Sequence, residues 1–149
     1  MARYNKIYAG PVSENLPQVQ EAPAAAAIMP GCLIVRTGGN FALATDTTTG
    51  KMFVAQDNYL IGGGVDDAYS PDETTIGMEM LDEQFFYLRF PSGVNVALDA
   101  PISTGASGKA AVAAAGDFVI GYAEEAYNNT SGQDQLVRVR AAKGHVLPA

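Results

Sequence analysis

The sequence predicts an all-β protein: a compact β-barrel or sandwich, tulip-like or jelly-roll-like, with an extended N-terminal arm and little helix. Three observations carry that expectation. Eight or nine short apolar runs recur along 149 residues, separated by turns that use 16 Gly and 8 Pro. The runs at 84–90 and 135–140 divide their side chains between two faces, as strands do. No heptad pattern and no exact internal repeat is present.

The elements follow in order. Pro11, Pro17 and Pro23 recur every six residues, and Pro30 comes after them. Each Pro fixes φ, removes an N–H and drives the preceding residue toward extended conformations. Residues 1–20 therefore read as extended chain, within an arm that spans 1–27. Arg3, Tyr4, Lys6, Ile7 and Tyr8 make its front end basic and aromatic, which suits docking on a surface. The plainer reading is a loose terminus. Residues 21–29 read as a short Ala-rich helical turn, since Ala24 to Ala27 are strong helix formers, ended by Pro30 and Gly31.

Residues 28–149 make the single β domain. Residues 32–36 form a β-branched strand closed by Thr37, Gly38, Gly39 and Asn40. Residues 41–45 and 51–55 flank a polar turn at 46–50 and read as a hairpin. Residues 56–75 read as a long loop around Gly62, Gly63 and Gly64. From 57 to 83 the chain carries eight acids and no base. A loop this long in a compact domain is functional or disordered.

Strands follow at 75–80 and 84–90. In the second, Phe86, Leu88 and Phe90 share one face, while Phe85, Tyr87 and Arg89 share the other. Aromatics on both faces imply that both are covered, one by the core and the other, at Phe85 and Tyr87, by a neighbouring subunit. After a Pro-Ser-Gly turn, Val94 and Val96 lead into residues 98–102. A loop at 103–109, a small apolar segment at 110–115 and a strand at 118–124 come next. The closing strand at 135–140 puts Leu136, Arg138 and Arg140 on one face, Val137 and Val139 on the other. His145 falls in the tail.

Composition excludes several functions. With 16 acids, 9 bases and a net charge of −7, the chain lacks the Lys/Arg surface of a duplex nucleic-acid binder. Only 17% of residues are charged, which leaves room for a partner to cover part of the surface. Cys32 is the one cysteine, so no intramolecular disulfide forms. Cys32 and His145 are too few for a zinc site of the usual type. The single His also closes nucleophilic triads unless His145 serves. The N-terminus lacks the apolar segment of a signal peptide, and no run reaches transmembrane length, so neither secretion nor membrane insertion is expected. Two overlapping Asn-x-Ser/Thr sequons at Asn128 and Asn129 read as a polar turn.

Candidate chemistry is weak. Gly105 to Lys109 looks like a phosphate loop but has two residues before Gly-Lys where four are needed, and Ala110 replaces Ser or Thr. It also fails the nucleophile-elbow order at Ser107. Asp66, Asp67, Asp72 and Glu73 lack the alternate spacing of a calcium loop and read as a solvated acidic loop, or as one facing a basic partner. Glu79, Asp82 and Glu83 could supply a carboxylate pair for glycoside hydrolysis, but read as the solvent side of a hairpin. Cys32 reads as a buried structural thiol. No catalytic, cofactor or metal site is expected, and a binding or structural protein is.

Several stretches resemble the small head decoration, or capsid cement, proteins of tailed bacteriophages. They are Pro30-Gly31 with the strand that follows to Gly39, residues 41–45 and 51–55, the Gly105, Gly108, Lys109 loop, Gly116 to Glu124 with its Val-Ile-Gly-Tyr-Ala, and Val137 to Arg140. The resemblance covers about residues 28–141. It implies a non-enzymatic protein, made in the host cytoplasm, that sits on the outer surface of the virion head. It implies the major capsid protein as partner, and binding as a homo-oligomer, dimer or trimer, that stabilises the expanded shell. In that reading Arg3, Tyr4, Ile7 and Tyr8 form the capsid-binding arm, and removing residues 2–20 spares the fold. The acidic loop departs from the most compact members. The alternative function is a carbohydrate-binding or host-adhesion β module of a virion. A small enzyme with a dispersed carboxylate site at Glu79 or Asp82 is a third.

Overall fold

The computed structural model describes residues 2–10 and 18–149. Among the described residues thirteen strands run in chain order: β1 (Tyr8–Gly10), β2 (Val19–Pro23), β3 (Leu33–Thr37), β4 (Asn40–Leu43), β5 (Phe53–Ala55), β6 (Thr74–Glu79), β7 (Phe85–Phe90), β8 (Asn95–Val96), β9 (Pro101–Thr104), β10 (Ala110–Val112), β11 (Phe118–Ala123), β12 (Tyr127–Asn128) and β13 (Gln135–Val146). Among the described residues strand accounts for 45% and helix for 4%, and of the two architectures expected the open sandwich is the one adopted.

One sheet has the order β1-β7-β13-β11-β9-β10, the other β2-β6-β5-β3-β4, and β12 pairs with β8 alongside. Alternation explains how the sheets stack. Leu33, Val54 and Met78 of the five-stranded sheet join Phe86, Leu88, Phe90, Val137 and Val139 of the six-stranded sheet in the main core. Their neighbours Ile34, Phe53 and Ala55 point the other way, into a second cluster with Phe41, Ile28 and Tyr69. The five-stranded sheet is thus covered on both faces.

Several expectations are corrected. Residues 41–45 and 51–55 do not pair with each other: β4 pairs with β3, and β5 lies between β3 and β6. The hairpin turn is instead Gly38-Gly39, both with positive φ (57° and 87°), the geometry whose twist suits antiparallel strands. Residues 21–29 are not helical. Val19–Pro23 is an edge strand against β6, and the Ala24 and Ala25 N–H groups donate to the Glu73 and Phe41 carbonyls at 2.9 and 2.8 Å. Four alanines between Pro23 and Pro30 are too few to nucleate a helix, and sheet pairing overrides their preference. Pro23 costs the ladder little at an edge.

The N-terminal segment pairs into both sheets. Its strands β1 and β2 cap an edge of each sheet, and Ile7 is fully buried in the main core. Unpaired strand edges gain from such cover. Residues 11–17 of the expected arm lie outside the described residues. Finally, β13 runs on to Val146, and His145 stands opposite Val119 within it rather than in a tail.

Candidate functional site

The N-terminal segment runs along the edge of β7, where β1 pairs with it. Tyr4 stacks on Tyr87 with ring centroids 4.0 Å apart, and Tyr8 meets the edge of Phe86 at 5.6 Å. Arg3 places its guanidinium 3.6 Å from the Tyr127 ring centroid, a cation–π contact, and its backbone N–H donates to Gln135 Oε1 at 3.0 Å. The Tyr87 N–H donates to the Ile7 carbonyl at 2.7 Å. Glu125 ties the group together: one oxygen accepts the Tyr4 hydroxyl at 2.6 Å, and the other accepts the Arg138 N–H at 2.8 Å. Burial, then this carboxylate, pushes the Tyr4 hydroxyl up to about 12. Burial also raises Tyr8. Arg3, Tyr4, Ile7 and Tyr8 are therefore brought together with Tyr87 by their own chain. Half-buried Phe85 stands opposite Gly10 and Arg140.

The acidic loop is braced from beneath. Tyr69, 1% exposed, donates its hydroxyl to the Gln56 carbonyl at 2.7 Å, and burial raises it to about 12. Arg89 is buried where the sequence placed it on an outer strand face. Its Nε donates to the Pro30 carbonyl at 2.9 Å and its Nη2 to the Val65 carbonyl at 2.7 Å, with Asp66 at 3.6 Å. One side chain thus clamps β7, the Pro30-Gly31 turn and the loop. Within the loop a single turn of 3-10 helix (Tyr59–Ile61) turns three large apolar side chains outward. Sequence reading passed over both features. The usable signal was an apolar triplet set against three glycines in the middle of an acidic run.

A cleft of about 650 Å³ opens at one end of the sandwich, lined by Met52, Met80, Phe118 and Ile120 with Lys51, Glu79, Asp82 and Lys143 around it. Glu79 is already engaged, accepting from Gln20 Nε2 at 2.7 Å and pairing with Lys51 Nζ at 3.0 Å. Among the described residues no cluster of three or more His, Cys, Asp or Glu could hold a metal ion. Among the described residues no helix is long and apolar enough to cross a membrane.

The remaining motifs have structural roles. Gly108 donates its N–H to the Ala44 carbonyl at 2.8 Å, and a Cβ there would sit 2.7 Å from the Leu33 carbonyl oxygen, so the phosphate-loop look-alike packs on β3 and β4. Lys109 is paired with Asp134 at 2.9 Å. Cys32 is 3% exposed, and burial pushes its thiol up to about 11, the opposite of an activated nucleophile. Asn129 is 1% exposed, its amide donating to the Pro91 and Gln133 carbonyls at 3.1 and 2.8 Å, so it latches a turn.

No family model and no curated protein matches the chain. Its architecture is that of an antiparallel β sandwich with an integral N-terminal segment. It is similar to the crystal structure of the head fiber gp8.5 N base in bacteriophage phi29, with a TM-score of 0.57 and 17% identity, over 85% of this chain and 95% of that one. At that identity the likeness establishes a shared fold.

Proposed function

We propose that the chain is a non-enzymatic structural protein of a phage head, which binds the outer surface of the expanded shell and stabilises it. The observation that carries this reading is the fold shared with a phage head fiber base over nearly the whole of both chains. The resemblance of residues 28–141 to capsid decoration proteins points the same way. The partner is the major capsid protein, and the protein acts as a homo-oligomer, dimer or trimer. Closed symmetry suits a shell that offers repeated sites, because the second contact of an attached oligomer is effectively intramolecular. The net charge of −7 disfavours attachment through nucleic acid or an anionic membrane.

Co-sedimentation with expanded heads that lack the protein tests the reading. Saturation at a fixed copy number per capsid subunit is the expected result, and the ratio reports which symmetry axes are occupied. Heads that bind none at any input ratio would overturn it.

A further inference from the structure

Five large apolar side chains among the described residues are more than half exposed, and three of them are consecutive: Tyr59 at 55%, Leu60 at 64% and Ile61 at 74%. A scattered exposed hydrophobe needs no explanation, but a contiguous apolar knob does. The turn that carries it is held in place. The buried Asn58 donates its amide to Glu73 Oε1 at 3.1 Å, while its carbonyl accepts the Gly63 N–H at 2.9 Å and the Ile61 N–H at 3.3 Å. Gly62 closes the turn, donating to the Tyr59 carbonyl at 3.2 Å. Beyond it, Val65 and Tyr69 are buried and Arg89 grips the Val65 carbonyl. A pre-organised knob loses little conformational freedom on binding.

Charge says what it meets. Asp57, Asp66, Asp67, Asp72 and Glu73 surround the knob in sequence, with no base between 57 and 83. Among the described residues the Arg89–Asp66 contact is the one ion pair this loop makes. Nucleic acid and anionic lipid would be repelled. A second copy is a poor match too, since five of the nine bases, Arg3, Lys51, Arg89, Lys109 and Arg140, are committed to ion pairs within the chain. The geometry points to the Tyr59-Leu60-Ile61 turn as the anchor that inserts into an apolar pocket rimmed by Lys and Arg on a partner protein. This rests on the function proposed above, and places that pocket on the shell. The apolar side chains supply affinity and the acids supply steering and register.

The test compares three proteins for binding to expanded heads lacking the protein: wild type, the triple variant Tyr59→Ser, Leu60→Ser, Ile61→Ser, and the double variant Asp57→Asn, Asp72→Asn. The replaced apolar side chains are exposed, so the triple variant should melt as wild type does, which thermal unfolding checks. Its affinity should fall by about tenfold or more, as for loss of a hot spot. The double variant should associate more slowly at low salt, and converge with wild type at high salt. If wild type binds and the folded triple variant binds equally well, the anchor is wrong while the shell-binding function stands. If wild type itself does not bind, both fall together.

Discussion

Tyr4 and Tyr69 are held protonated by different neighbours, and the difference shows what a single buried hydroxyl does here. Tyr69 lies in the second core cluster with its hydroxyl on the Gln56 carbonyl, and burial is the main cause that raises it to about 12. Tyr4 is nearer the surface; burial is again the largest cause, and Glu125 adds to it against the opposing pull of Arg3, so its hydroxyl also reaches about 12. In the unfolded chain both ionise at their ordinary value of 10.0. Their contribution to stability is therefore full below pH 10, falls as the unfolded chain sheds protons that the fold retains, and is lost as pH passes about 12. A spectrophotometric titration of the seven tyrosines should show a late-ionising group that coincides with alkaline unfolding. Tyr69→Phe and Tyr4→Phe should each remove part of that group. Seven tyrosines titrating together at the ordinary value would refute the environments described for both.

Between residue and fold, the informative element is β7 with the loop clamped against it. Its inner residues Phe86, Leu88 and Phe90 were readable from alternation and are fully buried, as are the cores of β11 and β13. Strands of this kind advertise themselves because burial of one face demands a period of two. Pairing was less legible. The β3–β4 turn lay in plain view at Gly38-Gly39, yet the polar turn at 46–50 made a competing signal, and sequence has no term for β5 slipping between β3 and β6. The alanine run failed for a related reason: intrinsic preference is weak beside a free sheet edge. Arg89 was hidden because its partners, the Pro30 and Val65 carbonyls, lie 59 and 24 residues away in sequence. Arg89→Met should preserve the apolar stem but leave both carbonyls without their donor. It should cost about 2–4 kcal/mol, the desolvation of two buried acceptors. Denaturant unfolding measures that loss. Amide exchange should locate the extra opening in residues 56–73, and uniform protection there would show that the clamp does not hold the loop.

For the whole molecule, the decisive question is whether the N-terminal segment is an appendage or part of the fold. The aromatic, basic character of its front end, carried by Arg3, Tyr4, Ile7 and Tyr8, was legible in the sequence. The surface they dock on in this structure is β7 of the same chain. Sequence could not show this, because the Tyr4–Tyr87 stack and the burial of Ile7 join positions about eighty residues apart. The acidic run at 57–83 was legible, whereas the exposure of Tyr59, Leu60 and Ile61 within it was not. Integration of the segment changes the expected effect of truncation. Removing residues 2–10 takes the buried Ile7 out of the main core, a loss worth about 1.5–3 kcal/mol of apolar burial. It also removes the Tyr4–Tyr87 stack, worth about 0.5–1.5 kcal/mol beyond its area. The edge strand β1 goes with them. A loss of about 3–5 kcal/mol should lower Tm by roughly 10–15 °C in a domain of this size. The proposed shell binding then needs a cleaner probe than deletion, since a weakened fold would itself weaken binding. Tyr4→Leu with Arg3→Gln keeps Ile7 and β1 in place while stripping the stack and the positive charge. Differential scanning calorimetry on the truncated protein should show the drop. An unchanged Tm would return residues 2–10 to the status of a free arm, available in full to a neighbouring protein.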